Sequence, residues 1–235
     1  ESGNKVGPTT RGIEMIKVAV CTPTAGIVHA SYTMSLVRMV LHYLQTPILG
    51  LENEERGIIT QMQVGANISS NRDNMVEQAI KQECSHVLFI DDDMGFEPNC
   101  LSLMLARQMP VLLANYRRKI PPGLFTAVTK DRKELLTTVD STSLEECWYG
   151  GFGFCLIEIA VLKAISKPRF LMEYYPDSNT YTTEDFPFFN KVHAEGFPVY
   201  VDQEVSKRVC HNGTFIYSFD QVLDPKWSKP YQERK

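Results

Sequence analysis

The sequence predicts an α/β fold in a single domain, and three observations support this prediction. Over the first two-fifths of the chain, short apolar runs alternate with segments of helical periodicity, as expected for parallel strands covered by helices on both faces. The later part departs from this alternation, which predicts a mixed sheet with substrate regions inserted late. A length of 235 residues and a 43% content of hydrophobic residues suit one large globular domain or two small ones. An alternating first part followed by a mixed second part favours one large domain.

The first part of the chain contains four strand patterns and three helix patterns. The first strand is rich in β-branched residues and ends at a Thr-Pro-Thr breaker. In the first helix, apolar residues recur at helical spacing from Met34 to Leu44. The predicted strands are 16–21, 57–64, 87–90 and 111–114. The predicted helices are 31–44, a second that Ser70 or Asn71 caps and that runs through Ile80, and a third from Pro98 to about Gln108.

The second part predicts fewer helices and more irregular structure. Two apolar segments, 125–129 and 135–139, flank the charged turn 130–133, which predicts a hairpin. Residues 148–158 are rich in aromatic residues and glycine. A helix is expected over 184–195, ended by Gly196, and the segments 199–201 and 207–210 are expected to be closing strands.

Composition and charge exclude several classes of protein. The chain carries 24 Lys and Arg against 28 Asp and Glu, a net charge of −4. It therefore lacks the overall positive charge that is typical of nucleic-acid-binding proteins. No apolar run approaches the roughly 20 residues that span a bilayer. The six cysteines form no CxxC pair, which removes the main support for a zinc ribbon or a thioredoxin-like site. We expect a soluble cytoplasmic protein, in the host cytoplasm if the chain is viral.

Three consecutive carboxylates follow the third predicted strand. They are Asp91, Asp92 and Asp93, and in an open α/β sheet ligands bind at the carboxyl ends of the strands. Alternate residues of an extended segment face the same side, so Asp91 and Asp93 are expected to converge. Three adjacent carboxylates repel one another unless a cation or ligand hydroxyls occupy them, and their oxygens suit Mg²⁺ or Mn²⁺.

The string FIDDDM resembles the DXD motif of nucleotide-sugar glycosyltransferases with the GT-A fold, in particular their inverting group. The resemblance extends from Lys17 to about Gly213 and depends on the order of several motifs rather than on one. Besides the acidic triplet, the matching segments are TPT at 22–24, SNRDN at 70–74, WYGGFG at 148–153, TEDFPFF at 183–189 and VCHNG at 209–213.

This resemblance implies a role for each motif. It implies a GT-A domain over 15–235, with a nucleotide-sugar-binding half at 15–120, an acceptor-binding half at 121–215 and a C-terminal tail at 216–235. Residues 1–14 are expected to be a tail or an expression remnant. The implied nucleotide-binding residues are Thr22, Pro23, Thr24, Arg72, Asp91 and Asp92; the metal ligands are Asp91, Asp93 and His211; the acceptor-binding residues are Trp148, Gly150 and Gly151.

The catalytic base is expected to be Asp185 or Glu184. Thr182 or Thr183 can cap the helix, which places both acids in its first turn. By resemblance the second acid is the base, so we predict Asp185 for that role and assign Glu184 to hydroxyls of acceptor or donor. Successive helical side chains point about 100° apart, so the two acids are not expected to address the same proton.

The activity that the resemblance implies is metal-dependent transfer of a sugar to an acceptor hydroxyl, with inversion preferred over retention. The expected cation is Mn²⁺ or Mg²⁺, and the expected donor is a UDP-sugar, with a GDP-sugar as the alternative. The acceptor is a glycan, a lipid or another hydroxyl compound, while the acidic composition gives no support to a nucleic acid. Two other functions remain open: a sugar nucleotidyltransferase, disfavoured because residues 22–30 contain no Lys or Arg, and a non-catalytic carbohydrate-binding protein.

Overall fold

The computed structural model describes residues 15–52, 54–119, 123–177, 179–213 and 216–219. The predicted tail 1–14, and 220–235 of the predicted C-terminal tail, lie outside these ranges. Within them, the helices are α1 (Ala30–Gln45), α2 (Ile68–Lys81), α3 (Cys100–Ala106), α4 (Ile159–Ala164), α5 (Asp185–Ala194) and α6 (Gln203–Ser206). The strands are β1 (Ile16–Thr24), β2 (Arg56–Val64), β3 (His86–Ile90), β4 (Met94–Phe96), β5 (Val111–Leu113), β6 (Leu144–Glu146), β7 (Phe154–Glu158), β8 (Tyr174–Tyr175), β9 (Thr180–Tyr181), β10 (Tyr200–Asp202), β11 (Val209–Asn212) and β12 (Ile216–Tyr217).

Seven strands form one mixed sheet in the order β2-β1-β3-β7-β5-β10-β6. The pairs β1–β2 and β1–β3 are parallel, as the first part of the sequence predicts, and β5–β10 is parallel as well. Strand β7 lies antiparallel between β3 and β5, and β6 lies antiparallel to β10 at the edge. The predicted α/β fold with a mixed central sheet in a single domain is therefore confirmed. Strands from both predicted halves of the chain share this sheet.

Helices cover both faces of the sheet, because alternate strand residues face opposite sides. On one face, Ala19 and Cys21 of β1 pack with buried residues of α2, α4 and α5. On the other face, Val18 and Val20 of the same strand pack with buried residues of α1, α3 and α6. Among the described residues, none of the helices combines the length and the apolar character that crossing a bilayer requires.

The predicted hairpin at 125–139 forms only as a short antiparallel turn. Its two segments pair at Val128 and Glu134, and Leu135 N donates to the Ala127 carbonyl at 2.9 Å, but neither segment is a regular strand. The buried side chain of Asn115 binds the other backbone groups of the same two residues: its Oδ1 accepts from Ala127 N at 2.9 Å, and its Nδ2 donates to the carbonyl of Leu135 at 2.8 Å. A hydrogen bond from a distant residue is not visible in the local pattern.

The predicted start of α2 is also wrong by a few residues. Asn67 is the N-cap, and its side chain accepts a hydrogen bond from Ser70 N at 3.0 Å. Asn71 instead donates from Nδ2 to the carbonyl of Gly65 at 3.1 Å, which ties the helix to the loop after β2. Both residues are good caps by type, so the backbone path decides between them.

The topology brings several chain segments to one edge of the sheet. Strands β1, β2 and β3 are parallel, so their carboxyl ends lie together; Thr24 pairs with Val64, and Asp91 directly follows β3. Strand β11 pairs with β4 just beyond the acidic triplet, with His211 opposite Met94. The candidate site lies at this edge.

Candidate active site

An acidic pocket of about 310 Å³ lies at the carboxyl ends of β1 and β3. Asp91, Asp92 and Asp93 line one side, and Pro23 and Thr24 at the end of β1 are also in its lining. Thr24 accepts a hydrogen bond at Oγ1 from Gly26 N at 3.0 Å, which shapes the turn after the strand. The structure thus brings together most of the residues predicted to bind a nucleotide.

Thr22 does not belong to this lining. Its side chain is buried, and its hydroxyl forms a hydrogen bond with that of Tyr32 on α1. It differs from Thr24, two residues later and also buried, which takes part in the pocket wall. Thr22 thus helps hold α1 against β1.

Arg72 links the acidic triplet to the start of α5. One guanidinium nitrogen, Nη2, donates to Asp91 Oδ1 at 2.8 Å, and Nη1 forms an ion pair with Glu184. The residue is only 1% exposed, and its guanidinium carbon lies 4.8 Å from the centre of the Phe152 ring. Burial raises the pKa of Asp91 above its ordinary value, and the charge of Arg72 opposes this shift. Arg72 thus holds two carboxylates in place.

This placement of Arg72 differs from the predicted contact with a nucleotide. With a cap at Ser70 or Asn71, the sequence predicts Arg72 in the first turn of a helix; α2 begins at Ile68, so Arg72 lies in its second turn, on the buried side. Two carboxylates and an aromatic ring already surround the guanidinium, so it is not open to solvent. Glu184 was predicted to bind a hydroxyl of the acceptor or donor. In the structure its carboxylate forms an ion pair with Arg72 instead.

Asp93 lies beside two basic side chains, Lys119 and His211. Lys119 forms an ion pair with Asp93 Oδ2, and His211 Nε2 lies 3.2 Å from Oδ1. Burial acts to raise the pKa of Asp93, but the nearby His211 and Lys119 outweigh it and lower the pKa to about 2. The Asp93 carboxylate is therefore ionised throughout the neutral range.

Asp93 and His211 fit a divalent cation. His211 Nδ1 lies 3.0 Å from the carbonyl oxygen of Arg117; donation there leaves the Nε2 of a neutral ring without a proton. Asp93 Oδ1 is buried and lacks a hydrogen-bond partner. In that neutral form His211 would offer Nε2 to a cation beside the unsatisfied oxygen of Asp93, which is a typical pair of metal ligands.

Such a site would have only two ligands from the protein, Asp93 and His211. In the described ranges, no group of three or more His, Cys, Asp or Glu side chains is arranged to hold a metal ion. Mg²⁺ and Mn²⁺ sites that act on nucleotides take further ligands from phosphates and water, so two protein ligands suffice for this type of site. The third predicted ligand, Asp91, lines the same pocket but accepts a hydrogen bond from Arg72.

Asn212 supports this arrangement and was missed in the sequence. Its backbone N–H and its side-chain Nδ2 both donate to the carbonyl oxygen of Asp93, at 2.8 and 2.9 Å. The pair of bonds fixes the end of the acidic triplet against β11. The position of Asn212 directly after the predicted ligand His211 was visible in the sequence. Its hydrogen-bond partner, the distant Asp93 carbonyl, was not.

The glycine-rich segment packs against a buried tyrosine. A Cβ atom added to Gly151 would overlap the hydroxyl of Tyr116, and one added to Gly153 would lie 2.6 Å from its Cζ. The Tyr116 hydroxyl accepts a hydrogen bond from Gly153 N at 2.9 Å, and its ring meets that of His211 edge-on at 5.2 Å. A Cβ on Gly150 would lie 2.8 Å from Leu113.

The glycines therefore have a different role from the predicted one. We expected Gly150 and Gly151 to let an acceptor approach the backbone, but both are buried and face protein atoms. Trp148 is also engaged with the protein: its ring stacks on His193 at 4.1 Å, and Lys130 Nζ lies 5.3 Å from its centre. The structure thus assigns packing contacts to all three predicted acceptor-binding residues.

Substituting Gly151 by alanine tests this packing. The added methyl group would displace Tyr116 from a fully packed position, so we expect the free energy of unfolding to fall by about 1–3 kcal/mol in urea denaturation. Adding Tyr116→Phe removes the overlapping hydroxyl and is expected to recover part of the loss. A Gly151→Ala protein as stable as the parent would contradict the contact.

A second, larger pocket of about 580 Å³ lies at the start of α5; we call it the aromatic pocket. Three tyrosines and Phe186 contribute to its lining. Asp185 and two arginines also border it. Its lining residues are Arg118, Thr126, Arg132, Tyr149, Tyr175, Thr180, Tyr181, Thr182, Thr183, Asp185 and Phe186.

Asp185 is the first residue of α5 and lines the aromatic pocket. The N-cap position is held by Glu184 without a side-chain cap, so the predicted capping by Thr182 or Thr183 is wrong. Thr183 instead donates its hydroxyl to Asp185 Oδ1, which also accepts from Phe186 N at 2.9 Å. These two donors orient the Asp185 carboxylate, while the neighbouring Glu184 turns to Arg72.

Comparison with known proteins identifies solved structures of similar fold, but no related sequence. No protein-family model and no curated protein sequence matches the chain. The structure is similar to that of A197 from STIV, with a TM-score of 0.56 and 16% identity, over 89% of this chain and 97% of that one. At this identity the likeness concerns the fold alone.

Two further solved structures are similar at a lower level. Residues 1–349 of S. aureus TarS in complex with UDP-GlcNAc match with a TM-score of 0.45 and 15% identity, over 90% of this chain and 63% of that one. The catalytic domain of Drosophila β1,4-galactosyltransferase 7 in complex with xylobiose matches with a TM-score of 0.45 and 14% identity, over 90% and 78%. The chain itself has a mixed seven-stranded sheet in a single α/β domain, as the sequence predicts.

Proposed function

We propose that the chain transfers a sugar from a nucleoside-diphosphate sugar to an acceptor hydroxyl, with a divalent cation and with inversion at the anomeric carbon. The observation that carries this proposal is the Arg72 bridge. It joins Asp91 in the acidic pocket to Glu184, whose neighbour Asp185 lines the aromatic pocket. The bridge therefore couples a carboxylate-rich pocket at the strand ends to a pocket that holds one oriented carboxylate.

The acidic pocket suits the donor. Thr24, Asp91 and Asp92 offer hydrogen-bond acceptors for the hydroxyls of a nucleotide, while Asp93 and His211 would hold Mn²⁺ or Mg²⁺. When bound, such a cation neutralises the negative charge that develops on the departing diphosphate. Lys119 places a further positive charge beside Asp93, at the same edge of the sheet. We propose a UDP-sugar as donor, with a GDP-sugar as the alternative.

Asp185 is proposed as the general base. It would accept the proton of the acceptor hydroxyl while that oxygen forms a bond to the anomeric carbon. The bond from the anomeric carbon to the diphosphate oxygen breaks in the same step, and its electron pair leaves with the diphosphate. A single displacement needs one base and inverts the configuration. Glu184, paired with Arg72, is less suited to act as a second nucleophilic carboxylate.

A panel of UDP- and GDP-sugars, each with Mn²⁺, Mg²⁺ or EDTA, tests the proposal. We expect slow, cation-dependent release of UDP from one donor with water as acceptor. The anomeric configuration of the freshly released sugar, followed by NMR, is expected to be inverted; a retained configuration would favour the retaining mechanism. Pyrophosphate-dependent exchange would instead indicate a nucleotidyltransferase, and neither binding nor turnover would indicate a non-catalytic protein.

A further inference from the structure

The structure separates the basic run after β5 into three different environments. Arg117 lies 4.4 Å from the centre of the Phe125 ring and donates to the carbonyl of Gly123 at 2.8 Å. Lys119 pairs with Asp93 in the acidic pocket. Arg118 is exposed and lines the aromatic pocket, and no carboxylate of the described ranges forms an ion pair with it. Of the three cations, Arg118 is therefore the one available to a ligand in the aromatic pocket.

A second arginine borders the aromatic pocket from a separate loop. Arg132 lies in the turn after Thr129, where its backbone N–H donates to the Thr129 carbonyl at 2.9 Å. Its side chain is exposed, and in the part of the chain that the structure describes it has no ion-pair partner. Two guanidinium groups from unrelated segments thus border one cavity, and neither forms an ion pair with a described carboxylate.

The remaining lining of the aromatic pocket adds rings and little negative charge. Of its described lining residues, Asp185 is the only carboxylate, so the two arginines leave an excess of one positive charge. Tyr181 is 69% exposed and Tyr175 is 37% exposed, which leaves ring surface open to a ligand. Ring faces pack against the apolar C–H side of a sugar ring, and guanidinium groups pair with carboxylates and phosphates through two parallel hydrogen bonds.

We infer that the acceptor bound in the aromatic pocket is a sugar compound carrying an anionic group, a phosphate or a carboxylate, and that Arg118 and Arg132 bind this group. The inference rests on the proposed function, because it takes this pocket as the acceptor side. The hydroxyl to be glycosylated would lie toward Asp185, and the anion would lie toward the two arginines. Arginine suits this role better than lysine, because its planar group matches both anions in geometry.

Direct binding of three related sugars tests the inference without the donor reaction. Glucose, glucose 6-phosphate and glucuronic acid share a ring and differ in charge, so saturation-transfer NMR and calorimetry can compare them on the whole chain. We expect both anionic sugars to bind at least about 10-fold more tightly than glucose, since hydrogen bonds to charged groups are stronger. A difference between the two anionic sugars identifies which anion the pocket prefers.

Arg118→Gln and Arg132→Gln are each expected to lower the affinity for the anionic sugars by about 10-fold and to leave glucose binding unchanged. Arg38→Gln, at an exposed arginine of α1, is the matched control and should change none of the affinities. Equal affinity for all three sugars, no binding of any of them, or unchanged affinity in both pocket variants would overturn the inference.

Binding of UDP with Mn²⁺ in the same variants separates this inference from the proposed function. We expect the two pocket variants to bind UDP like the parent. If they lose UDP affinity as strongly as affinity for the anionic sugars, the arginines bind the donor diphosphate and the inference is wrong. If neither the parent nor the variants bind UDP while the sugars bind as expected, the proposed function is wrong. The conclusion that Arg118 and Arg132 form an anion-binding site then still holds.

Discussion

Replacing Asp93 by asparagine is expected to abolish the Mn²⁺-dependent part of UDP binding. The substitution keeps the size of the side chain but removes a carboxylate whose pKa is about 2 and which is therefore charged at neutral pH. His211 alone cannot hold a divalent cation, and the asparagine amide offers one neutral oxygen. Calorimetry with and without Mn²⁺ should show a loss larger than the roughly 100-fold seen when only an outer-shell partner of a metal is removed.

Asp140→Asn provides the matched control for this prediction, because Asp140 is an exposed acid on a turn away from both pockets. It should bind UDP with the same Mn²⁺ dependence as the parent protein. Thermal melting checks that the Asp93→Asn protein is folded, since Lys119 loses its charged partner. Unchanged Mn²⁺-dependent affinity in a folded Asp93→Asn protein would show that the cation site is elsewhere.

Asp185→Asn is expected to lower turnover by about 10²–10⁴-fold, the usual contribution of a general base. Asparagine preserves the hydrogen bonds from Thr183 and Phe186 N through its oxygen, but it cannot accept the proton of the attacking hydroxyl. The acidic pocket is untouched, so UDP affinity should stay near the parent value. The readout is cation-dependent release of UDP from the donor that the panel identifies, with water as acceptor.

Two variants of neighbouring acids make this test specific. Glu195→Gln removes an exposed acid at the far end of α5 and should leave turnover unchanged. Glu184→Gln leaves the buried Arg72 with one charged partner, so it is expected to lower the free energy of unfolding as well as the activity. Near-normal turnover in Asp185→Asn together with an inactive, stable Glu184→Gln protein would assign the base to Glu184.

The sequence predicts best where the physical cause is local. The apolar runs of β1, β3 and β5 each require burial on both faces, so their position in an interior sheet follows from composition alone. The placement of the acidic triplet at a ligand-binding edge follows as well, because it comes directly after β3. Helical spacing likewise predicts α1 correctly, although Met34, Val37, Leu41 and Leu44 of its apolar stripe are each about half exposed.

Pairings between distant segments were not predictable in the same way. The position of β7 between β3 and β5 makes the sheet mixed at its centre, and this depends on register with both neighbours. Asn115 binds both segments of the short hairpin at 125–139 through side-chain hydrogen bonds, where the sequence predicts two strands. A periodic pattern reports which residues of an element are apolar, but it does not report which element lies beside it.

The amino-acid sequence was sufficient to predict the α/β fold, the acidic strand end and the order of the motifs, because each follows from residues close together in the chain. Only the folded structure shows which charged groups are already paired. Arg72 turns inward to Asp91 and Glu184, the glycines at 150 and 151 accommodate protein atoms, and Arg118 and Arg132 come together from separate loops. The physical reason is that pairing, burial and pocket formation depend on contacts between residues far apart in sequence, which local composition and spacing do not encode.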